Sequence, residues 1–585
     1  MPGLFGYIDK DGLSRDDRIL ERMRDLLVYR RGHKSENFFH GGSVHAGYCA
    51  PCFEDVGGRA VEESGVTCWF DGEIYNVREL SGGESSAKTG DAVKRLMINA
   101  YRAGALTDFL RGADGYFSAV IHDSGKRRLK LLIDRFGFRH LFYAKYGKKF
   151  LWASECKAFL AAPDFKADVN RRSVDEFMRF GILCEDRTWL SDARLLNPAA
   201  ILTYDMETGS VQTERYWSPD EIRPAAAEID LVEYYEEWGR LFKRSVAKMT
   251  DESERTGLTL SGGLDSRAIL AAMPLSESGI NAVTLGDKQC DDVRFAAAVA
   301  KLKNAGHHFF PLITDGWFER ACLGIWATDG ALNLSSQLGI EHLHDISNLL
   351  GVSLNGIGGG RMQGGRVTGA AAHYEFDEMK DGTPGLQMIR RRMLRPGFRL
   401  DESFFKIRLP FFDNELYAFV TALPQDVKKK GFFYNNALLH NFAGYYKKIP
   451  WQQAGVPISL PPPLFKAGTL CKRVLSRLTR ELQSAGLPIR DHKLYFNISE
   501  MFRNDANRMR MKEILSDKDA FYPQYMPDER LSVNLSIDKR ADIEKICRIL
   551  TFEIYMRQLN NPNSRPSRFW ADDDALTRPG IGCSS

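Results

Sequence analysis

The sequence predicts two unlike domains in tandem: an α+β sandwich of antiparallel sheets with covering helices, then an α/β domain built on a parallel sheet with helical additions. Three observations carry that expectation. Up to about residue 205, short β-branched or aromatic runs separated by Gly, Asp and Asn turns outnumber helical patterns, as stacked antiparallel sheets require. From Ile229 onward strands and helices alternate, the pattern of a parallel sheet. Between them, residues 219–227 hold two prolines and no periodicity, which marks a connection. The length of 585 residues is too great for one core and supports the division. The boundaries that follow are 1–205 for the first domain, 206–228 for a linker, 229–560 for the second domain and 561–585 for a polar, loose tail containing Asp572-Asp-Asp574.

In the first domain, strands are expected at 4–8, 44–49, 66–75, 116–122, 129–134, 141–145, 150–153 and 201–204. Helical periodicity interrupts them near 16–28 and 91–103, the latter with Val93, Leu96, Met97 and Ala100 along one face. The second domain opens on an amphipathic helix at 231–249, with Leu231, Tyr234, Trp238, Leu241, Phe242 and Val246 on one side. A strand at 281–285, a helix at 294–302 and strands at 308–312 and 352–354 follow.

Composition excludes several classes. Charged residues at 27% and hydrophobic residues at 44% are ordinary for a globular chain. A net charge of +4, from 80 basic and 76 acidic residues, argues against a dedicated nucleic-acid binder. No apolar run reaches the roughly 18 residues of a membrane span, and the N-terminus lacks the pattern of a signal peptide. Ten scattered cysteines suggest free thiols in a reducing cytoplasm. Cys49-Ala-Pro-Cys52 is a lone pair without the further ligands zinc needs. His307-His308, His342 and His344 read as packing or hydrogen-bonding residues.

The stretch richest in chemistry runs from Leu258 through Ser261-Gly-Gly-Leu-Asp-Ser266 into an apolar helix. A strand, a glycine turn and a helix N-terminus make an anion site, because close backbone approach and the helix dipole stabilise a phosphate. Asp265 adds a carboxylate for Mg²⁺ and Ser266 a hydroxyl. An ordinary strand–turn–helix is the bland alternative, and the absence of Gly-Lys-Ser/Thr rules out a Walker A loop. The string resembles the pyrophosphate loop of N-type ATP pyrophosphatases, whose α/β domain is adenine nucleotide α-hydrolase-like.

Three further strings, Phe70-Asp-Gly-Glu-Ile-Tyr-Asn76, Asp134-Arg-Phe-Gly-Phe-Arg-His-Leu-Phe-Tyr143 and Ala153-Ser-Glu-Cys-Lys-Ala158, resemble the glutamine amidotransferase domain of asparagine synthetases. That resemblance implies an N-terminal-nucleophile-type αββα sandwich. The family's nucleophile is a cysteine directly after the initiator Met, but here the residue is Pro2, which has no thiol. The oxyanion asparagine of the family is Asp71 here, an anion where a donor belongs. The arginine expected to clamp glutamine falls within 48–51, where no basic residue stands. Together these departures imply a lost glutaminase. Gly72 and Glu73 keep the pattern and read as retained for folding.

A second glycine run, Asn355-Gly-Ile-Gly-Gly-Gly-Arg-Met-Gln-Gly-Gly365, occupies the place of the family's Gly-x-Gly-x-Asp-Glu loop. Gly360 stands where the family has its Mg²⁺-binding Asp, and Arg361 where it has Glu. One carboxylate with phosphates and waters can hold Mg²⁺, and Arg361 could neutralise pyrophosphate directly. Downstream, residues 407–416, 422–424 and 447–451 resemble the helical layer that closes the acyl site. Arg408 beside Asp413 suggests a functional clamp or, more readily, an ordinary buried ion pair. Lys447, Lys448 and Lys493 are candidates for the lysine that stabilises charge during amine attack; a surface lysine is the default for each. Lys466–Arg480 reads as a basic helix, either a solvated face or a partner surface.

The resemblance to the asparagine synthetase family points to members that draw on no glutamine, similar to β-lactam synthetases and lasso-peptide cyclases. It implies ATP and Mg²⁺ as cofactors, with Asp265, Arg361 and Lys448 catalytic and Asp265 the metal ligand. Leu258, Ser261, Gly262, Gly263, Asp265, Ser266, Leu285, Gly356 and Gly358 would bind nucleotide. The expected reaction activates a small-molecule or peptide carboxylate as acyl-AMP and joins it to an amine. The expected partners are those substrates and a homodimer mate or a biosynthetic protein, with no nucleic acid and no membrane. A nucleotide-binding pseudoenzyme and an ammonia-dependent asparagine synthetase remain open alternatives.

Overall fold

The computed structural model describes residues 3–9, 17–28, 33–35, 38–51, 53, 60–83, 87–225, 230–250, 254–275, 279–362, 379–380, 383–384, 391–392, 395–428, 432–484, 496, 498–526 and 540–566. Two antiparallel sheets form the first domain. One orders Ala193–Leu195, Phe142–Tyr146, Lys149–Ala153, Leu4–Asp9 and Val44–Ala50, with Lys34–Ser35 and Phe39–Gly41 both pairing to the last. The other orders Val211–Arg215, Ala200–Asp205, Arg128–Ile133, Gly115–Asp123, Val66–Ile74 and Val61–Glu63. Alternation sorts the side chains. Leu4 and Ile8 face the second sheet with Trp152, against Trp69, Val120 and Leu131, while Phe5 and Tyr7 face helix Asp17–Leu27. Helix Asp91–Arg102 covers the opposite side through Val93, Met97 and Ile98. The layering is αββα, as expected.

The expected linker 206–228 needs correction. Strand Val211–Arg215 pairs along Ala200–Asp205, so the sandwich continues to residue 215. Its hairpin turn was legible but missed: Asp205 accepts the Glu207 and Thr208 amides, and Gly209 supplies a φ of 70°. At the other end, Pro562–Ser564 packs on helix Arg540–Asn560, and Arg565 donates to the Gln558 carbonyl, so the expected tail begins in ordered chain. Residues 567–585 lie outside the described residues.

In the second domain, five parallel strands run in the order Gly306–Pro311, Asn281–Gly286, Thr256–Thr259, Val352–Leu354, Lys406–Arg408. By chain order this is 3-2-1-4-5, and the winding reverses between Thr256–Thr259 and Val352–Leu354. In such sheets ligands bind in the crevice beyond the carboxyl ends at that reversal. Both glycine runs leave from these two strands. The helix expected at 294–302 runs Asp291–Lys303, its first turn favoured by two acids at the positive dipole end.

The domains share one core. Phe136 and Phe138 pack edge-to-face on Phe412, and Tyr116 donates to the Leu409 carbonyl at 2.8 Å. Arg408 is paired, but not with Asp413. It forks onto Glu73 of the first domain at 2.7 Å through both nitrogens and reaches Glu254 at 2.6 Å. Asp413 is occupied elsewhere, capping helix Asn414–Ala422 and pairing with Lys248.

Lys248 also pairs with Asp114 of the first domain, so two buried carboxylates share one ammonium. Burial, then the neighbouring Asp413, pushes the Asp114 carboxyl up to about 7 despite Lys248. The folded chain therefore holds a proton that the unfolded chain releases near pH 4, and this contribution to stability is lost as pH rises through about 7. Asp114→Asn keeps the shape without the charge. It is expected to match the parent in denaturant near pH 4.5 and to exceed it by about 1–3 kcal/mol near pH 8. A pH-independent gap would show that Asp114 does not titrate there.

Candidate functional site

The loop after strand Thr256–Thr259 is braced from three sides. The Gly262 amide donates to Asp292 at 2.8 Å, and its carbonyl accepts from the Gln452 amide at 3.2 Å. Ser266 Oγ accepts the Ser261 amide at 3.1 Å, and Ser261 Oγ accepts the Gly263 amide at 3.2 Å. The two hydroxyls lie 3.1 Å apart, so one proton serves that contact and the other remains for a ligand oxygen. Helix Asp265–Ala272 follows without a side-chain cap, which leaves its first amides to an anion.

Asp265 begins that helix. Tyr434, on helix Phe432–Tyr446, donates to its Oδ1 at 2.8 Å, and the Gly360 amide also reaches it. Burial pushes the carboxyl up, against these two donors. Among the described residues no basic side chain pairs with Asp265. The second glycine run folds directly over it. A Cβ on Gly359 would sit 2.1 Å from Asp265 Cγ, and one on Gly356 2.9 Å from the Ser266 nitrogen, so both positions demand glycine. Gly358 has a φ of 94° and lies against Phe412.

A Cβ on Gly360 would stand 3.8 and 3.9 Å from the two Asp265 carboxylate oxygens. A side chain at position 360 would thus start within van der Waals reach of the Asp265 carboxylate. Arg361 belongs to the helical turn Gly359–Met362 by its backbone; its side chain, like Pro2 and Lys493, lies outside the described residues. Leu258 is fully buried in the core, with its backbone between Ala282 and Leu354. Leu285 packs over Gly339. Lys447 and Lys448 are exposed where helix Phe432–Tyr446 ends.

Arg267 was missed. It is fully buried and donates to the carbonyls of Gly262, Tyr445, Ile449 and Pro450, which ties the loop to the segment bearing Lys447 and Lys448. A lone arginine inside an apolar helix, directly after the serine, was the available signal. Tyr434 had none, being 169 residues from Asp265 in sequence. His307 meets Thr284 Oγ1 at 2.9 Å and His308 meets Asn281 Oδ1 at 2.9 Å, and no group of three or more potential metal ligands gathers among the described residues. Cys49 is buried, and Cys52 lies outside the described residues. No described helix is long and apolar enough to cross a membrane.

The first domain's expected glutamine site holds a different arrangement. Arg139 forks onto Asp71 at 2.6 Å through both nitrogens, and Tyr48 donates to the same carboxylate at 3.3 Å. Arg139 is aimed there because Asp134, fully buried, accepts the amides of Phe136, Phe138 and Arg139 and folds the loop around itself. Gly3 lies against this pair and Ser154; a Cβ there would meet Ser154 Oγ at 2.2 Å and Asp71 Oδ2 at 3.2 Å. A narrow cavity lined by Glu73, Tyr75, Tyr116, Arg139, Glu402 and Lys406 lies beside this pair, where the two domains meet.

Comparison with known proteins agrees with this architecture. A glutamine amidotransferase domain model matches residues 1–217, and an asparagine synthase model matches residues 237–401. The chain is 28% identical over 284 residues to asparagine synthetase [glutamine-hydrolyzing] 3 of Bacillus subtilis, covering 46% of this chain and 45% of the relative. It is 25% identical over 440 residues to asparagine synthetase [glutamine-hydrolyzing] 2 of that organism, covering 69% and 58%. It is 22% identical over 290 residues to the carboxyethyl-arginine beta-lactam-synthase of Streptomyces clavuligerus, covering 49% and 52%. The chain spans about half the length of the curated relatives it matches. With both domains matched in this order, and two glycine runs meeting at the reversal of a parallel sheet, the chain belongs to the asparagine synthetase family.

Proposed function

We propose that the second domain activates a carboxylate with ATP, releases pyrophosphate and joins the acyl group to an amine, while the first domain hydrolyses no glutamine. The observation that carries this reading is the Asp265 carboxylate. It is half-buried at the crevice, without a basic partner among the described residues, and the second glycine run packs directly against it. Such a carboxylate fits one cation bridged to phosphate, since Mg²⁺ takes one or two carboxylates and completes its shell with phosphate and water. Bound ATP with Mg²⁺ would supply the leaving pyrophosphate and the charge that polarises it.

The chain's own residues divide the remaining tasks. The Ser261–Ser266 hydroxyl pair and the uncapped helix N-terminus orient phosphate oxygens, and Gly262 and Gly263 keep the backbone close. Gly356 and Gly358 shape the opposing wall, with Leu258 and Leu285 holding the strands that carry it. Arg361 neutralises the departing anion. Lys448 serves the amine step, its segment positioned by Arg267. In the first domain, Arg139 neutralises the Asp71 anion that replaces a donor, so the pocket favours a folded ion pair over glutamine. One relative is named a β-lactam synthase, and formation of an amide from an amine already on the substrate is the chemistry this arrangement suits.

Product analysis tests the reading. Incubation with ATP, Mg²⁺ and a panel of carboxylates and amines, including aspartate with ammonium, is expected to yield AMP rather than ADP. Added glutamine is expected to release no glutamate. Glutamate formation would overturn the second half of the proposal. Gly360→Asp separates an adapted ligase from a decayed one: turnover is expected to stay within about threefold or fall, whereas a rise of tenfold or more would show a degraded site partly restored.

A further inference from the structure

Two acids at the start of helix Asp291–Lys303 press on the glycine loop 261–266. Gly262 is enclosed by them and by Gln452: a Cβ there would meet Gln452 Cβ at 2.9 Å, Asp292 Cα at 3.2 Å and the Asp291 carbonyl at 3.3 Å. The Gly262 amide donates to Asp292, so a carboxylate takes a donor that phosphate could otherwise use. Asp291 and Asp292 are each 8% exposed. Two buried carboxylates beside a phosphate-binding loop repel its ligand unless a cation offsets them.

Lys472, on helix Pro462–Ser484, is placed to do so. Its ammonium donates to Asp291 Oδ2 and to the Gln452 carbonyl, both at 2.5 Å. Its side chain is 14% exposed, and the stem lies on Gly455, where a Cβ would meet Lys472 Cδ at 2.7 Å. Burial raises the Asp292 carboxyl, and Asp291 adds to the rise, while the Gly262 amide and Lys472 counter it. Arg294 also reaches Asp291, at 2.6 Å, but its side chain is 71% exposed and water screens its charge. Lys472 therefore holds both flanks of Gly262. On one side Gln452 donates its amide to the Gly262 carbonyl at 3.2 Å, and on the other Asp291 adjoins Asp292. The helix does not need these contacts to stay in place. Phe465 stacks on Trp451 with centroids 6.4 Å apart, and Gly468 abuts Val456.

We infer that Lys472 is a positioning residue for the phosphate end of the nucleotide: it fixes both flanks of Gly262 and offsets the two acids, so it governs affinity for pyrophosphate and not for the nucleoside. The inference rests on loop 261–266 receiving phosphate, as proposed above, and is independent of turnover.

Calorimetric titration of the full chain with ATP, pyrophosphate and adenosine, each with Mg²⁺, tests it. Lys472→Met is expected to weaken ATP and pyrophosphate about tenfold or more, and adenosine by less than about twofold. Lys472→Arg keeps the charge and is expected to stay within about threefold of the parent. Asp291→Asn, added to Lys472→Met, removes one uncovered acid and is expected to recover about threefold or more. Without nucleotide, the Gly262 and Gln452 amides should exchange with solvent about tenfold faster in Lys472→Met. Equal losses for ATP and adenosine would make Lys472 a structural support only and overturn the inference. So would parent-like ATP affinity in Lys472→Met, or unchanged amide exchange. A parent that binds ATP without forming AMP, with the variants behaving as expected, would overturn the reaction proposed above and uphold this role. A parent that binds neither ATP nor pyrophosphate would overturn both.

Discussion

Arg408→Met is expected to remove about 3–5 kcal/mol of stability, the cost of stripping the cation from a buried pair. Arg408 is 1% exposed and answers two acids, Glu73 from the first domain and Glu254 from the second. Lys406 stays near both, at 3.5 and 2.7 Å, and sets the lower end of the range. The variant also changes the response to acid. Burial alone would raise the Glu73 carboxyl, but Arg408, helped by Lys406 and Lys88, holds it down at about 2. A carboxyl depressed in the fold contributes stability above its ordinary value near 4, lost as pH falls toward 2. Urea denaturation of the parent should therefore show a decline across that window, and Arg408→Met should flatten it. A loss below about 1 kcal/mol would mean the domains are held by their shared aromatic core alone.

Asp265→Asn is expected to lower carboxylate-dependent pyrophosphate release by about a thousandfold or more, the scale at which losing a charge-stabilising group slows a reaction. Folding should not suffer. The carboxylate is half-buried, meets only the Tyr434 hydroxyl and a backbone amide among the described residues, and is pushed up by burial. A neutral amide there should be as stable or slightly more so. A paired outcome of lost turnover and unchanged midpoint in denaturant marks a residue kept for function at some expense to the fold. A tenfold effect or less would remove Asp265 from the reaction.

The αββα layering and the parallel sheet were legible because alternation of period two and the switch to strand–helix repeats are local patterns. Strand Val211–Arg215 escaped because a polar, exposed edge strand carries no alternation of its own, and only its turn announced it. The site divides the same way. Ser261 to Ser266 and the glycines at 356 to 360 sit in contiguous strings whose chemistry can be read directly. Tyr434, Arg267 and the true partners of Arg408 depend on contacts between distant segments. Glu73, Arg139 and Lys157 lie in the three strings that identify the first domain. Each turns out to fasten: Glu73 to Arg408, Arg139 to Asp71 and Glu402, Lys157 to Asp329 and the Trp326 carbonyl. The motifs of the first domain thus persist as contacts, most of them with the second, which is why reading Gly72 and Glu73 as retained for folding agrees with the structure.

Exchange of labelled pyrophosphate into ATP, measured with Mg²⁺ across a panel of carboxylates, reports whether the second domain activates an acid. Exchange is expected to depend on one class of carboxylate, to be lost in Asp265→Asn and to be indifferent to glutamine. Exchange absent with every acid at saturating Mg²⁺, while nucleotide still binds, would contradict it and leave the crevice a binding site without a reaction.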